Sequence, residues 1–254
     1  MDLHLKGKRA LVTGGTRGIG RAIIDLLSSE GADVAFCGRG QQAVDETLSS
    51  LAGKPVRAIG AAIDVTDGEA LRAWVTSAAQ ALGGLDIVVP NVSAGGGGRT
   101  SIQAWRENFE VDMLGTVHTV EAALPFLEAS GGGSIVIISS TAAVEAFRVP
   151  QPYNAMKAAL INYTKNISNM LALKNIRANS VSPGPVYAEN GGWASIRTSN
   201  PDVYDNALSQ IPLGRMGSPQ EIASAVAYLA SPIAGYTTGA NLIVDGGFTK
   251  RVNF

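Results

Sequence analysis

Short apolar runs alternate with longer amphipathic stretches along almost the whole chain. The runs Arg9–Thr13, Asp33–Cys37, Val56–Ile59, Leu85–Val89, Ser134–Ile138, Ile176–Val181 and Asn241–Val244 read as strands. Several are apolar throughout instead of alternating. That pattern predicts burial on both faces, the condition of a parallel sheet with helices on each side. Between them, Ile19, Ile23 and Leu26/Leu27 recur at helical spacing, and similar stretches cover roughly 41–52, 67–82, 101–128, 153–174 and 218–230. Pro152 suits a first helical turn, where its missing N–H is not needed. Residues 184–212, punctuated by Gly191, Gly192, Pro201 and Pro212, interrupt the alternation and read as a mobile flap. No repeat or composition break divides the chain. The expectation is one α/β domain over 1–254, a doubly wound parallel sheet of about seven strands with ligands at the strands' carboxyl ends.

Composition narrows the function. Lys+Arg at 20 against Asp+Glu at 21 provides no basic field for a nucleic-acid backbone. No run reaches the ~18 consecutive apolar residues of a membrane helix. The start, Met1–Gly7, has no apolar core of a signal peptide, so a cytoplasmic location is expected. One cysteine, Cys37, excludes an internal disulfide and reads as a small core residue, while two histidines, His4 and His118, argue against a metal centre. Glycine stands out, at 30 of 254 residues, about 12% against a usual ~7%. The glycines gather where apolar runs end or begin, as tight strand–helix turns require.

The first such turn is Thr13-Gly14-Gly15-Thr16-Arg17-Gly18-Ile19-Gly20, running from a strand into a helix. A helix N-terminus offers free N–H groups and partial positive charge to a phosphate, and glycines let it approach. The turn is no P-loop, because Arg21-Ala22 stand where Lys and Ser/Thr would be needed. Its Gly-x3-Gly-x-Gly spacing, with Tyr153-Asn154-Ala155-Met156-Lys157 and Ser140 thirteen residues before the tyrosine, resembles the short-chain dehydrogenase/reductase family. Asp64-Val65, Asn91, Pro183-Gly184 and Val244-Asp245-Gly246-Gly247 extend the resemblance across nearly the whole chain. It implies a Rossmann-type fold and an enzyme.

The chemistry of the residues agrees. Tyr153 and Lys157 are four apart and share a helix face. A free tyrosine, with a pKa of ~10, carries protons poorly at neutral pH, and a nearby ammonium favours the phenolate. Ser140, at the end of the fifth strand, is placed to hydrogen-bond a carbonyl oxygen gaining charge. The resemblance implies that Tyr153 is the acid/base, Ser140 positions substrate, and Lys157 tunes Tyr153 and holds the nicotinamide ribose. It likewise implies that the dinucleotide is held by Gly14, Thr16, Arg17, Gly18, Ile19 and Gly20. Further contacts are implied from Arg39, Asp64, Val65 and Asn91, from Tyr153 and Lys157, and from Pro183, Gly184 and Val186.

NAD enzymes usually end the second strand in an acid that binds the ribose hydroxyls. Here Gly38-Arg39 stand at that point, and Arg17 adds a second guanidinium suited to a 2′-phosphate, so NADP(H) is expected. The chain departs from the family in three places. Pro90-Asn91-Val92-Ser93 replaces Asn-Asn-Ala-Gly. Asp112 stands where the family's fourth catalytic residue, an Asn, offers its main-chain carbonyl; Asp112 acts either through that carbonyl or through its carboxylate. Ala188 replaces a threonine that contacts the carboxamide in relatives.

The expected activity is NADP(H)-dependent interconversion of a ketone and a secondary alcohol on a small molecule, most similar to 3-oxoacyl-carrier-protein reductases. A catalytically weak dinucleotide-binding sensor or scaffold, and an NAD-linked alcohol dehydrogenase, are the alternatives. Substrate choice is assigned to loops at 91–100, 142–152 and 185–212, with Tyr187 and Trp193 as either packing or pocket residues. By resemblance, helices around 101–128 and 153–174 would pair in a homo-oligomer, a tetramer or dimer.

Overall fold

The structure, a computed structural model, describes residues 2–146 and 149–252. Met1 of the N-terminal stretch, and Phe147 and Arg148 of the 142–152 loop, lie outside the described residues. Seven strands form one sheet: β1 Arg9–Thr13, β2 Asp33–Gly38, β3 Ala58–Ala62, β4 Ile87–Val89, β5 Gly133–Ile138, β6 Ile176–Pro183 and β7 Asn241–Val244. The order is β3-β2-β1-β4-β5-β6-β7, and every pairing is parallel. The helices are α1 Gly18–Ser29, α2 Gln41–Leu51, α3 Gly68–Leu82, α4 Ile102–Asn108, α5 Gly115–Ala129, α6 Pro152–Leu171, α7 Gly192–Ser199, α8 Pro201–Ser209 and α9 Pro219–Ala230.

Both faces of the sheet are buried, which explains strands that are apolar at every position. Ala10, Val12, Val34, Phe36, Val136 and Ile138 point to the face covered by α1, α2 and α9. Their neighbours Leu11, Ala35, Cys37, Ile135 and Ile137 point to the face covered by α3, α5 and α6. The period of two thus sorts one continuous run into two cores. The strand order reverses between β1 and β4. Loops leaving those two strands diverge to opposite faces and open a crevice at their carboxyl ends.

Two elements differ from the sequence reading. The helix expected over 101–128 is broken by a six-residue π turn, Phe109–Leu114, between α4 and α5. The extra residue rotates the chain so that Asp112 points inward, with no solvent exposure. The 184–212 segment holds α7 and α8, which pack on a small core of their own around Ala207, Ile211 and Met216. Its stem is pinned where Tyr187 N donates to Gly217 O and Gly217 N donates to Pro185 O, each at 2.9 Å.

One large side chain joins the core to the crevice. Phe36 on β2 is fully buried, and its ring fits only because Gly15 and Gly60 lack side chains. A Cβ at Gly15 would stand 2.7 Å from Phe36 Cβ, and one at Gly60 would stand 2.9 Å from Phe36 Cζ. Phe36→Ala leaves a cavity directly beneath the turn after β1. The expected loss is about 3–5 kcal/mol of stability, read as a lower urea midpoint.

Candidate active site

The turn after β1 is shaped by close approach. Gly14 takes φ +69°, a left-handed conformation that suits glycine. A Cβ on Gly20 would collide with Gly14 O and Asn91 Nδ2, so only glycine lets α1 rise this close to the strand. Arg17 is the N-cap of α1, and its side chain accepts none of the first-turn N–H groups; that turn also holds no acid. Several N–H donors therefore remain free at the start of α1, the arrangement that receives a phosphate.

Asn91, beyond β4, locks this turn in place. Its Nδ2 donates to Thr13 O and Gly14 O, both at 3.1 Å, and its backbone N donates to Thr13 Oγ1 at 3.1 Å. The single Asn retained in Pro90-Asn91-Val92-Ser93 is thus the one that bridges the two sides of the crevice.

Across the crevice, Ser140 follows β5, and its Oγ accepts from Ala142 N at 3.1 Å. Since a hydroxyl has one proton and two lone pairs, that bond leaves the Ser140 O–H free to donate. Tyr153 is the second residue of α6, just after Pro152, and Lys157 lies one turn further on. Lys157 is almost fully buried, 5.8 Å from the Tyr153 ring centroid, and Nζ donates to Ile138 O at 3.0 Å. Its backbone carbonyl accepts Ser139 Oγ at 2.8 Å, which fastens α6 to the end of β5.

Asp112 stands behind Lys157. Its Oδ1 is 3.0 Å from Lys157 Nζ, an ionic contact outside hydrogen-bond alignment. Its Oδ2 accepts from Ala94 N at 2.9 Å. The Asp112 main-chain carbonyl accepts Thr116 Oγ1 at 2.7 Å. Of the two routes left open by the sequence, the carboxylate is the one in contact with Lys157.

Ile19, Asn91, Ser140, Tyr153, Lys157, Pro183, Gly184 and Val186 line one cleft of about 200 Å³. Ser93, Ser139 and Trp193 line it too. Neither Ser93 nor Ser139 was singled out for the site from the sequence, although Ser139 adjoins Ser140. Trp193 reaches the cleft from α7 and also packs edge-on against Tyr204, so it serves both packing and pocket. Gln151, likewise missed, accepts Gly98 N through Oε1 at 3.0 Å and holds the glycine run against the mouth of the cleft.

The remaining expected contacts lie around the ends of β2 and β3. The Thr16 side chain occupies the space above Gly38, where a Cβ would meet Thr16 Cγ2 at 2.6 Å. Arg17 and Arg39 are both exposed. Neither is in a salt bridge among the described residues. Asp64 accepts Thr66 N at 3.0 Å, and that bond, with the nearby Arg39 charge assisting, holds its carboxyl below the usual carboxylate range. Val65 is buried against Gly115, and Val186 bridges to Gly217. Cys37 is buried under the turn, and burial pushes its thiol up to about 12, so it is no thiolate nucleophile at neutral pH. Among the described residues, no cluster of three His, Cys, Asp or Glu could hold a metal, and no helix is long and apolar enough to cross a membrane.

Known proteins resemble this chain over nearly their full length. Residues 14–249 match the family described as Enoyl-(Acyl carrier protein) reductase. The chain is 39% identical over 255 residues to isoepoxydon dehydrogenase of Penicillium expansum, covering 98% of each. It superposes with a TM-score of 0.90 and 30% identity on L-sorbose reductase from Gluconobacter frateurii complexed with NADPH and L-sorbose, covering 99% of this chain and 100% of that one. A 7α-hydroxysteroid dehydrogenase complexed with NADH and 7-oxo glycochenodeoxycholic acid gives 0.90 and 30% as well, covering 99% and 98%. With its glycine turn, seven parallel strands and Tyr-x3-Lys helix, the chain belongs to the short-chain dehydrogenase/reductase family and is an oxidoreductase.

Proposed function

We propose that the protein is an NADP(H)-dependent oxidoreductase that interconverts a ketone and a secondary alcohol on a small molecule. The observation that carries this reading is the convergence of Ser140, Tyr153 and Lys157 in one cleft with Ile19, at the uncapped start of α1. The residues present fit a dinucleotide: free N–H groups at α1, close approach at Gly20, and a crevice at the strand-order reversal. A bound nicotinamide supplies or accepts the hydride at the carbonyl carbon. Ser140 donates its free O–H to the substrate oxygen and fixes that oxygen against Tyr153. In reduction, Tyr153 gives its hydroxyl proton to the oxygen as negative charge develops there; in oxidation it takes the proton back. Lys157 holds a positive charge under the ring throughout, which stabilises the phenolate left after proton transfer. Trp193 closes the substrate side with an apolar face.

Charge distinguishes the two cofactor types. The solved relatives named above carry NADPH in one case and NADH in the other. Here the end of β2 offers Gly38 and an exposed Arg39, with Arg17 in the turn; a 2′-phosphate meets two guanidinium groups and no acid at position 38. Thr16 adds a steric reason, since its side chain fills the volume an acid at position 38 would need.

Loss of NADPH absorbance across a panel of ketones, diketones and 3-oxoacyl thioesters tests the activity. Tyr153→Phe is expected to lower turnover about 10²–10⁴-fold while NADPH still binds; equal turnover in the two proteins would show that another group moves the proton. NADPH is expected to bind more tightly than NADH, and Arg39→Ala to weaken NADPH about tenfold while leaving NADH unchanged. Gly38→Asp alone is expected to bind both cofactors poorly, and Gly38→Asp with Thr16→Ala to recover NADH binding, as read by nucleotide fluorescence titration.

A further inference from the structure

We propose that the Asp112 carboxylate is a positioning residue that couples Lys157 to the rim of the cleft over Ser93–Gly98. The inference deepens the function proposed above and rests on Lys157 serving Tyr153 there. A cation and a backbone donor converge on this one buried side chain. Lys157 Nζ approaches Oδ1 at 3.0 Å, and Ala94 N donates to Oδ2 at 2.9 Å. An ionised carboxylate accepts at both oxygens. An amide of the same shape offers one acceptor and one donor, so asparagine satisfies either Ala94 or Lys157 and sets its NH₂ against the other.

Each partner leads to the reacting groups. Lys157 has Ile138 O as a second acceptor and lies beneath the Tyr153 ring, so Asp112 and β5 together fix where the ammonium stands. Ala94 opens the run Gly95–Gly98, whose far end is held at Gly98 by Gln151. In between, the run covers Tyr153: a Cβ on Gly96 would lie 3.4 Å from Tyr153 Cδ1. Ala94 is thus held at both polar backbone atoms, its N–H donating to Asp112 Oδ2 and its carbonyl accepting Arg99 Nη2 at 2.8 Å. The cation near the ring and the backbone that packs against it therefore share one anchor. With zero exposure, Asp112 has no water to replace either partner if it moves.

The same geometry sets the charge under Tyr153. Asp112 from the π turn and Tyr153 from its own helix are the ionisable groups that face Lys157. Elsewhere on the packed elements, Glu110 and Lys165 are exposed, Glu145 accepts Lys250 N, and burial pushes Tyr163 up to about 12. Replacing Asp112 with a neutral side chain leaves the ammonium uncompensated and favours the phenolate. The alkaline limb of ketone reduction then moves to lower pH.

The test compares the whole protein with its Asp112→Asn, Lys157→Met and Tyr153→Phe variants. Asp112→Asn is expected to retain measurable activity with kcat lowered about tenfold and ketone KM nearly unchanged. Its alkaline limb should fall by about one pH unit, and amide exchange over Ala94–Gly98 should quicken about tenfold. Wild-type kcat, pH profile and exchange in Asp112→Asn would overturn the proposal, as would lowered kcat with wild-type profile and exchange. Lys157→Met covers the case in which Asp112→Asn does not fold: faster exchange at Ala94–Gly98 is expected there, and unchanged exchange overturns the coupling. Because exchange is read without substrate, an active Tyr153→Phe would sink the proposed function separately.

Discussion

The amide of Asn91 is the interaction on which the site depends. Two backbone carbonyls, Thr13 O and Gly14 O, leave the sheet at the point where strand order reverses, and both accept the same Nδ2 group. A strand that ends in a tight glycine turn exposes such carbonyls without ladder partners, and burying them unpaired is costly. The amide removes that cost and ties the loop after β4 to the loop after β1. Gly20 then packs against Gly14 O and the Asn91 amide, so the start of α1 is located by Asn91 as much as by its own sequence. The glycine turn before α1 and the loop after β4 are joined at this contact.

The fold was legible because both faces of the sheet are buried. β1, β5 and β7 match the apolar runs to within a residue. β3 lies two to three residues later than expected, at Ala58–Ala62, because an edge strand of small residues carries little hydrophobic signal. The π turn was illegible for a different reason. Nothing local in Phe109–Leu114 departs from helical spacing, and the extra residue becomes useful only through contacts with Ala94 and Lys157, distant in sequence. The glycine turn and Tyr-x3-Lys were legible because spacing alone sets their geometry. Gln151 was not, because its role depends on how the glycine run folds back over α6.

Electrostatics are used sparingly. Ion pairs such as Arg99–Glu107, Lys174–Glu128 and Arg215–Glu221 lie on the surface, where solvent screens them. Lys157–Asp112 differs, with neither side chain in contact with water. Burial of both charges is an expense that apolar residues of similar volume would avoid, so stability does not account for it. The pair sits beside the Tyr153 ring, at the floor of the cleft.

The small core around Ala207, Ile211 and Met216 is separate from the two cores of the sheet, and its stem is held by reciprocal backbone bonds between Pro185–Tyr187 and Gly217. Backbone bonds place almost no demand on side-chain identity. The α7–α8 unit is therefore an exchangeable cassette: its sequence can drift, lengthen or be traded between relatives while the stem keeps its register. Ser140, Tyr153 and Lys157, mounted at the end of β5 and on α6, are carried by a different part of the framework. A change in the α7–α8 unit can thus alter one wall of the cleft without disturbing the frame that holds β5 and α6.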